Sequence, residues 1–469
     1  MPIKNKKYSL IIVFVLFGLI FLGCATYYQK NYQLQTFITE GNFNAANKLL
    51  NKDKKGEEGI NRVLFFMNKG LVNFMLGQYQ ESNTYFEKAD LYNEDYRSNL
   101  GSEALSLLSN PMVKPYKPED FEAVMVHYYK SLNYLMLGQY QEALVECRRI
   151  NIQLQQLNDK YKNNKNKYAN DSFAHNLMGM IYDASGDKNN AFIAYRNAYN
   201  AYENEYKTLF GISAPIQLQK DLLRVAHQMG FMEEYATYKD KFGMEYNPDS
   251  SESGSLVFIW MNGFGPVKSE WSINFANDGY NNGWINLSNS DYGLTFPVFV
   301  GNRKAEEQGA FKNLSFLRVS FPKYVERKPV STSAYLQTNS QQYPLELSQD
   351  INAIAFQSLK DRMVRELANS IARLATKKAL ETLANQQNEN LGTVLSIINA
   401  MTEKADTRNW QSLPYAIYYT RIPLSEGSHQ VNLQMNGDNK EQTSFSFDIE
   451  KNKTTFFTYH QLATAPMRY

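Results

Sequence analysis

The chain has 469 residues, a formal charge of +2 and two cysteines. That length suits two domains of ordinary size, and the near-neutral charge argues against a nucleic-acid binder, which needs a basic face. Two cysteines cannot build a disulfide framework, and the 33 tyrosines leave open whether aromatic rings fill helix interfaces or line a groove.

Lys4, Lys6 and Lys7 precede an apolar run from Leu10 to Leu22, interrupted by Gly18 and ending at Gly23-Cys24. The run is about 13 residues long, short of the roughly 20 that cross a bilayer as a helix. A basic head, a short apolar stretch and a small residue before the cut describe a secretory signal. With cysteine at that cut, residues 1–23 resemble a bacterial lipoprotein signal peptide, with Phe21 where that family usually has Leu. The resemblance implies lipidation of Cys24. Ala25 follows the cysteine and no acidic residue precedes Glu40, so it also implies the periplasmic face of the outer membrane. Loss of the three leader lysines brings the net charge to about −1. Cys147, on the apolar face of a helix, is then expected to be a buried small hydrophobe.

From residue 24 to about 245 the sequence is helical and repetitive. The phrase Met-Leu-Gly-Gln-Tyr-Gln-Glu occurs from Met75 to Glu81 and again from Met136 to Glu142, with looser copies around Gly41, Gly186 and Gly230. Counted from the turn glycine, a small residue stands seven before (Gly70, Ser131, Gly179), a small one five after (Ala46, Ser82, Ala143, Ala191) and a larger one nine after (Leu50, Phe86, Cys147, Tyr195). Small residues let two helices approach, a large one opposite fills the gap, and Gly77, Gly138 and Gly186 supply the left-handed turn. Successive glycines are 36, 61, 48 and 44 residues apart, near the 34-residue tetratricopeptide period but irregular. The spacing predicts five helical pairs, the first and last acting as caps, because a lone pair cannot bury its apolar face.

The wording Asp120-Phe121-Glu122 to Asn133-Tyr134, Phe192 to Tyr199, Asp221-Leu-Leu-Arg224, Ala405 to Pro414 and Ala416 to Pro423 resembles a family of bacterial lipoproteins with tetratricopeptide-like repeats. The resemblance implies a class and an address without a reaction.

Residues 246–254 read as a linker, after which the period changes. Leu256–Trp260, Leu294–Val300, Leu314–Phe321 and Tyr335–Thr338 are strand candidates, with turn signals at Asn277-Asp278-Gly279 and Asn281-Asn282-Gly283. A helical insertion, about residues 350–405, begins with a cap at Ser348-Gln-Asp-Ile. It carries an apolar stripe through Ile351, Ala355, Leu359, Met363, Leu367, Ile371 and Leu374, expected to pack on its own sheet, and a second helix from Thr393 to Lys404. Asp406, Arg408 and Trp410 read either as a binding site or, preferably, as a structural turn held by an ion pair and a packed indole. Gly427, Val431–Met435, Phe445–Ile449 and Thr454–His460 complete a run of antiparallel strands. The fold class expected is therefore α+β and multidomain: an N-terminal solenoid, then a β-sandwich-like domain over residues 255–469.

None of the five histidines sits at metal-ligand spacing from another His, Cys or Glu, no Gly-x-Ser-x-Gly elbow occurs, and Gly263-Phe-Gly265-Pro-Val-Lys268 lacks the spacing of a phosphate loop. The expectation is a lipid-anchored envelope adaptor without cofactor, metal or catalytic residue, holding a protein or peptide partner in its concave groove. The rivals are a wall-polymer hydrolase and a glycan- or lipid-binding lipoprotein with an exposed tyrosine ladder.

Overall fold

Each helical pair of the amino-terminal half turns on a glycine. The computed structural model describes residues 29–98, 112, 114–160, 168, 170–248, 253–291, 293–302, 305–312, 316–338, 341–363, 370–371, 404–437 and 440–464. Gly41, Gly77, Gly138, Gly186 and Gly230 all have φ between 69° and 86°, the region only glycine enters freely. The residue after each donates its N–H to a carbonyl five residues back: Asn42 to Phe37, Gln78 to Asn73, Gln139 to Tyr134, Asp187 to Tyr182 and Phe231 to Ala226, at 2.8–3.0 Å. That bond closes a helix through a left-handed cap, and its recurrence defines the repeat.

The pairs are α1 (residues 29–39) with α2 (Phe43–Asn51), then, after a short α3 (Lys54–Glu58), α4 (Arg62–Met75) with α5 (Tyr79–Ser98). α6 (Asp120–Met136) pairs with α7 (Tyr140–Lys160), α8 (Ser172–Ala184) with α9 (Lys188–Ala201), and α10 (Ile216–Gln228) with α11 (Met232–Phe242). α9 continues through a π-helical turn, Tyr202–Tyr206, into Lys207–Phe210.

Within the pairs the small residues meet the large ones as the spacing predicts. A β-carbon at Gly70 would stand 2.7 Å from the Phe86 ring, and one at Gly179 would stand 2.4 Å from the Tyr195 ring. Ser82 Oγ donates to Gly70 O at 2.7 Å, and Ser131 Oγ donates to Ala143 O at 3.0 Å and lies 3.1 Å from Cys147 Sγ. Ala143, Ala191 and Cys147 are fully buried. Burial pushes the Cys147 thiol up to about 12, as befits an inert packing residue.

The carboxyl half holds β1 (Gly254–Phe264), β2 (Val267–Asn281), β3 (Trp284–Asn289), β4 (Leu294–Phe299), α12 (Ala305–Lys312), β5 (Phe316–Val325), β6 (Ser331–Gln337), β7 (Gln342–Pro344) and β8 (Glu346–Asp350). Then come α13 (residues 351–363), β9 (Pro414–Leu424), β10 (Gly427–Gly437), β11 (Glu441–Ile449) and β12 (Thr454–Gln461). Two four-stranded sheets, β12-β1-β9-β8 and β11-β10-β6-β7, face each other as a sandwich. Leu256, Phe258 and Trp260 of β1 and Ile422 and Leu424 of β9 meet Val431, Leu433 and Met435 of β10 between them.

Three features depart from the sequence reading. A third sheet, β4-β3-β2-β5, stands beside the sandwich with its own core. Asn277-Asp278-Gly279 is a register shift inside β2, whereas Asn282 and Gly283, at φ 45° and 85°, make the β2–β3 turn. β12 runs parallel to β1, because the chain crosses from the second sheet to the first after β11, so the carboxyl-terminal strands are not a simple antiparallel run.

Asp350 caps α13 by accepting from Ala353 N at 2.7 Å. Ile351, Ala355 and Leu359 enter the largest core, and Met363 and Ile371 pack on the third sheet. Residues 1–24, Leu367, Leu374 and residues 393–403, where a second insertion helix is expected, lie outside the described residues; Lys404 itself is not helical.

Candidate functional site

A helical-repeat stack presents an inner face, built from the first helix of each pair, as its usual binding surface. Here that face is covered by the chain itself. α6 is buried all round from Phe121 to Asn133, although a surface helix would expose one side. The cause lies in β1 and β9, whose side chains alternate. Val257, Ile259 and Met261, with Ile417 and Tyr419, turn away from the sandwich and join one core with the helical residues Leu71, Phe86, Tyr129, Ile181 and Leu222. The open groove expected for a partner is therefore filled by the sheet: the chain alternates apolar residues on both faces of β1 and needs a second layer on each.

The segment carrying Asp406, Arg408 and Trp410 is part of this filling. Trp410 and Arg408 are each 1% exposed. The indole packs 6.0 Å from the rings of Phe86 and Tyr129. Arg408 donates to Asp406 through Nε at 2.9 Å and Nη2 at 2.6 Å, and through Nη1 to Asn61 Oδ1 and the Lys114 carbonyl. Trp410 N donates to Glu122 Oε1 at 2.7 Å, and Ser412 Oγ donates to Asn68 Oδ1 at 2.6 Å. The three residues do come together, and they hold the halves to each other.

Glu122 also accepts from the Tyr116 hydroxyl and the Glu119 N–H. Burial raises its carboxyl above the usual range, with Lys268 opposing that shift. Glu119 pairs with Lys268 and Arg362. Burial acts to raise Glu119 too, yet the two cations outweigh it and hold the carboxyl at about 2. A divergent carboxylate pair is a known sign of acid–base chemistry; here both acids form the buried capping box of α6, which explains their environment.

A second cluster joins β9 to three helices. The Arg421 guanidinium lies 3.2 Å from Asp183 and 2.9 Å from Asp221 and donates to Tyr195 Oη at 3.1 Å. Arg224 reaches both carboxylates, at 2.5 and 2.9 Å, and Lys188 also pairs with Asp183. Burial acts to raise the Asp183 carboxyl, but Arg224 and Arg421 overcome it and hold it far below the ordinary range. A third, centred on Asp171, accepts from the Tyr128 and Tyr168 hydroxyls, Gln349 Nε2 and Ala174 N. These acids were not singled out from the sequence as site residues. The available signal was Arg421 itself, a charge at an inward position of an otherwise apolar strand.

The tyrosines resolve the compositional ambiguity. Tyr116, Tyr128, Tyr129, Tyr168, Tyr195, Tyr202 and Tyr206 are buried between layers, so no ladder of these rings lines a groove. His460 is stacked on Tyr129, and burial holds its imidazole at about 3. Among the described residues, no group of His, Cys, Asp and Glu is placed to hold a metal ion, and no helix is long and apolar enough to cross a membrane.

No family model matches the sequence, and no curated relative matches it. Among solved structures, MamA (41-end) from Desulfovibrio magneticus RS-1 aligns at 17% identity over 45% of this chain and 90% of its own, with a TM-score of 0.30. BtubC from P. vanneervenii aligns at 14% identity over 48% and 84%, with a TM-score of 0.32. A Podosopora anserina putative kinesin light chain with nearly identical TPR-like repeats aligns at 14% over 45% and 91%, also at 0.32. The repeats of this chain are defined by its own glycine turns and helix packing.

Proposed function

We propose that this chain is a lipid-anchored scaffold of the bacterial envelope, tethered through Cys24 to the periplasmic face of the outer membrane. It works by binding a protein or peptide partner, in cell-wall or outer-membrane assembly, and not by catalysis. The observation that carries this reading is the stack of glycine-turned helical pairs, five among the described residues, locked to a sandwich by one core. Such a body is a rigid platform with an extended surface. The filled inner face moves the partner's place to the outer helices or the sheet edges. The hydrolase reading needs free carboxylates in a cleft of the carboxyl half; of the acids there, Asp406 is engaged by Arg408 and Asp350 caps α13.

Replacement of Cys24 by Ala is expected to abolish acyl labelling and to remove the chain from the outer-membrane fraction, since stable anchoring takes more than one acyl chain. Unchanged labelling and fractionation would refute the anchor. In-cell crosslinking of the native chain is expected to give discrete adducts with envelope proteins, and their absence would sink the scaffold reading.

A further inference from the structure

An exposed sheet edge offers unpaired N–H and C=O groups to another strand, and proteins blunt such edges with proline, bulges, charge or shortness. Among the described residues, five of the six outer strands follow that rule. β8 carries a register shift against β9 and the acids Glu346 and Asp350. β7 has three residues and ends in Pro344, β4 contains Pro297, β5 contains Pro322 and Lys323, and β11 carries Glu441 and Asp448. β12, Thr-Thr-Phe-Phe-Thr-Tyr-His-Gln, has none of these devices over eight residues. It pairs with β1 in unbroken register, and among the described residues no strand pairs with its outer side. Every residue in it is partly exposed, while the His460 ring itself is packed on Tyr129 and Phe74.

We propose that β12 is a dimerisation edge, on which β12 of a second copy of this chain adds antiparallel about a two-fold axis at Thr458. The strand complements itself in that register. Phe457 meets Tyr459, Phe456 meets His460 and Thr455 meets Gln461, so aromatic faces aromatic, polar faces polar, and no like charges oppose. The faces agree as well: Phe456 packs against the helical core, and Phe457 and Tyr459 against the sandwich core. The charged edge of β11 lies on the same side of the sandwich, since Phe445 of β11 is 5.0 Å from Phe457 and 5.3 Å from Tyr459. The two-fold that pairs β12 therefore also covers that half-buried aromatic seam. An isologous contact of this kind closes at two copies. It is independent of the membrane anchor and of any other partner.

The test is a cysteine at the axis of the full chain. Thr458→Cys places two thiols on Cα atoms about 5 Å apart, within disulfide reach, whereas Thr454→Cys faces position 462 and has no thiol opposite. Both variants carry Cys24→Ser, and Cys147 is fully buried, so no other thiol competes. Mild oxidation is expected to give a covalent dimer for Thr458→Cys and not for Thr454→Cys. Light scattering on residues 24–469 without acylation is expected to give twice the mass of one such chain. A single-chain mass at micromolar concentration, or equal crosslinking at both positions, would overturn the proposal.

Discussion

Arg421→Ala is expected to cost about 3 kcal/mol of folding stability, the lower end of the range for removing one partner from a buried ion pair. The guanidinium lies between two carboxylates that are each 1% exposed as side chains. Arg224 and Lys188 remain to share the deficit, which keeps the loss from being larger. Arg149→Ala supplies the contrast. That side chain is 44% exposed and 3.5 Å from Glu146, and its loss should stay within about 0.5 kcal/mol, as for other surface pairs. Urea unfolding of both variants checks the difference, and equal midpoints would show that the cluster does not couple the halves. Acid adds a second readout. Asp183 has its folded pKa depressed, so its contribution is present above the unfolded value, near 4, and is lost as pH falls through that value toward the folded one. Removing Arg421 takes away one cause of the depression, so stability below about pH 4 should fall less steeply in the variant than in the unaltered chain.

Trp410→Ala is expected to cost about 3–5 kcal/mol, the usual loss for truncating a buried large aromatic side chain. The indole fills the space between Phe86 on α5 and Tyr129 on α6, so the truncation opens a cavity between the halves. Trp284→Ala is the matched control: Trp284 is 44% exposed, and its truncation should cost far less. If thermal unfolding showed the two substitutions to be equally mild, the 404–413 segment would not be seated as described.

The repeat was legible because its logic is local. A glycine, a small residue seven before and a large one nine after must touch within one helical pair, and Gly70 with Phe86 and Gly179 with Tyr195 do so. The strands over residues 256–260, 431–435 and 445–449 were legible from alternation or from short apolar runs. What escaped was long-range. Nothing within Leu256–Met261 says that its even positions face a second sheet and its odd ones a stack of helices, because a run apolar on both faces reads the same whatever covers it. The parallel placement of β12 escaped because strand direction is set by a crossover that sequence period does not encode. At Asp406, Arg408 and Trp410 the ion pair is local and legible, whereas the segment's partners Glu122, Asn61 and Asn68 stand hundreds of positions away.

Helices and sandwich share one core and are expected to unfold together. All four tryptophans, Trp260, Trp271, Trp284 and Trp410, lie in the carboxyl half, and the repeat helices lie in the other. Urea unfolding followed by tryptophan fluorescence therefore reports the β half, and far-ultraviolet circular dichroism is dominated by the helices. Coincident transitions with one midpoint are the expected result; two separated transitions, with the helices melting at a different urea concentration from the tryptophans, would contradict it.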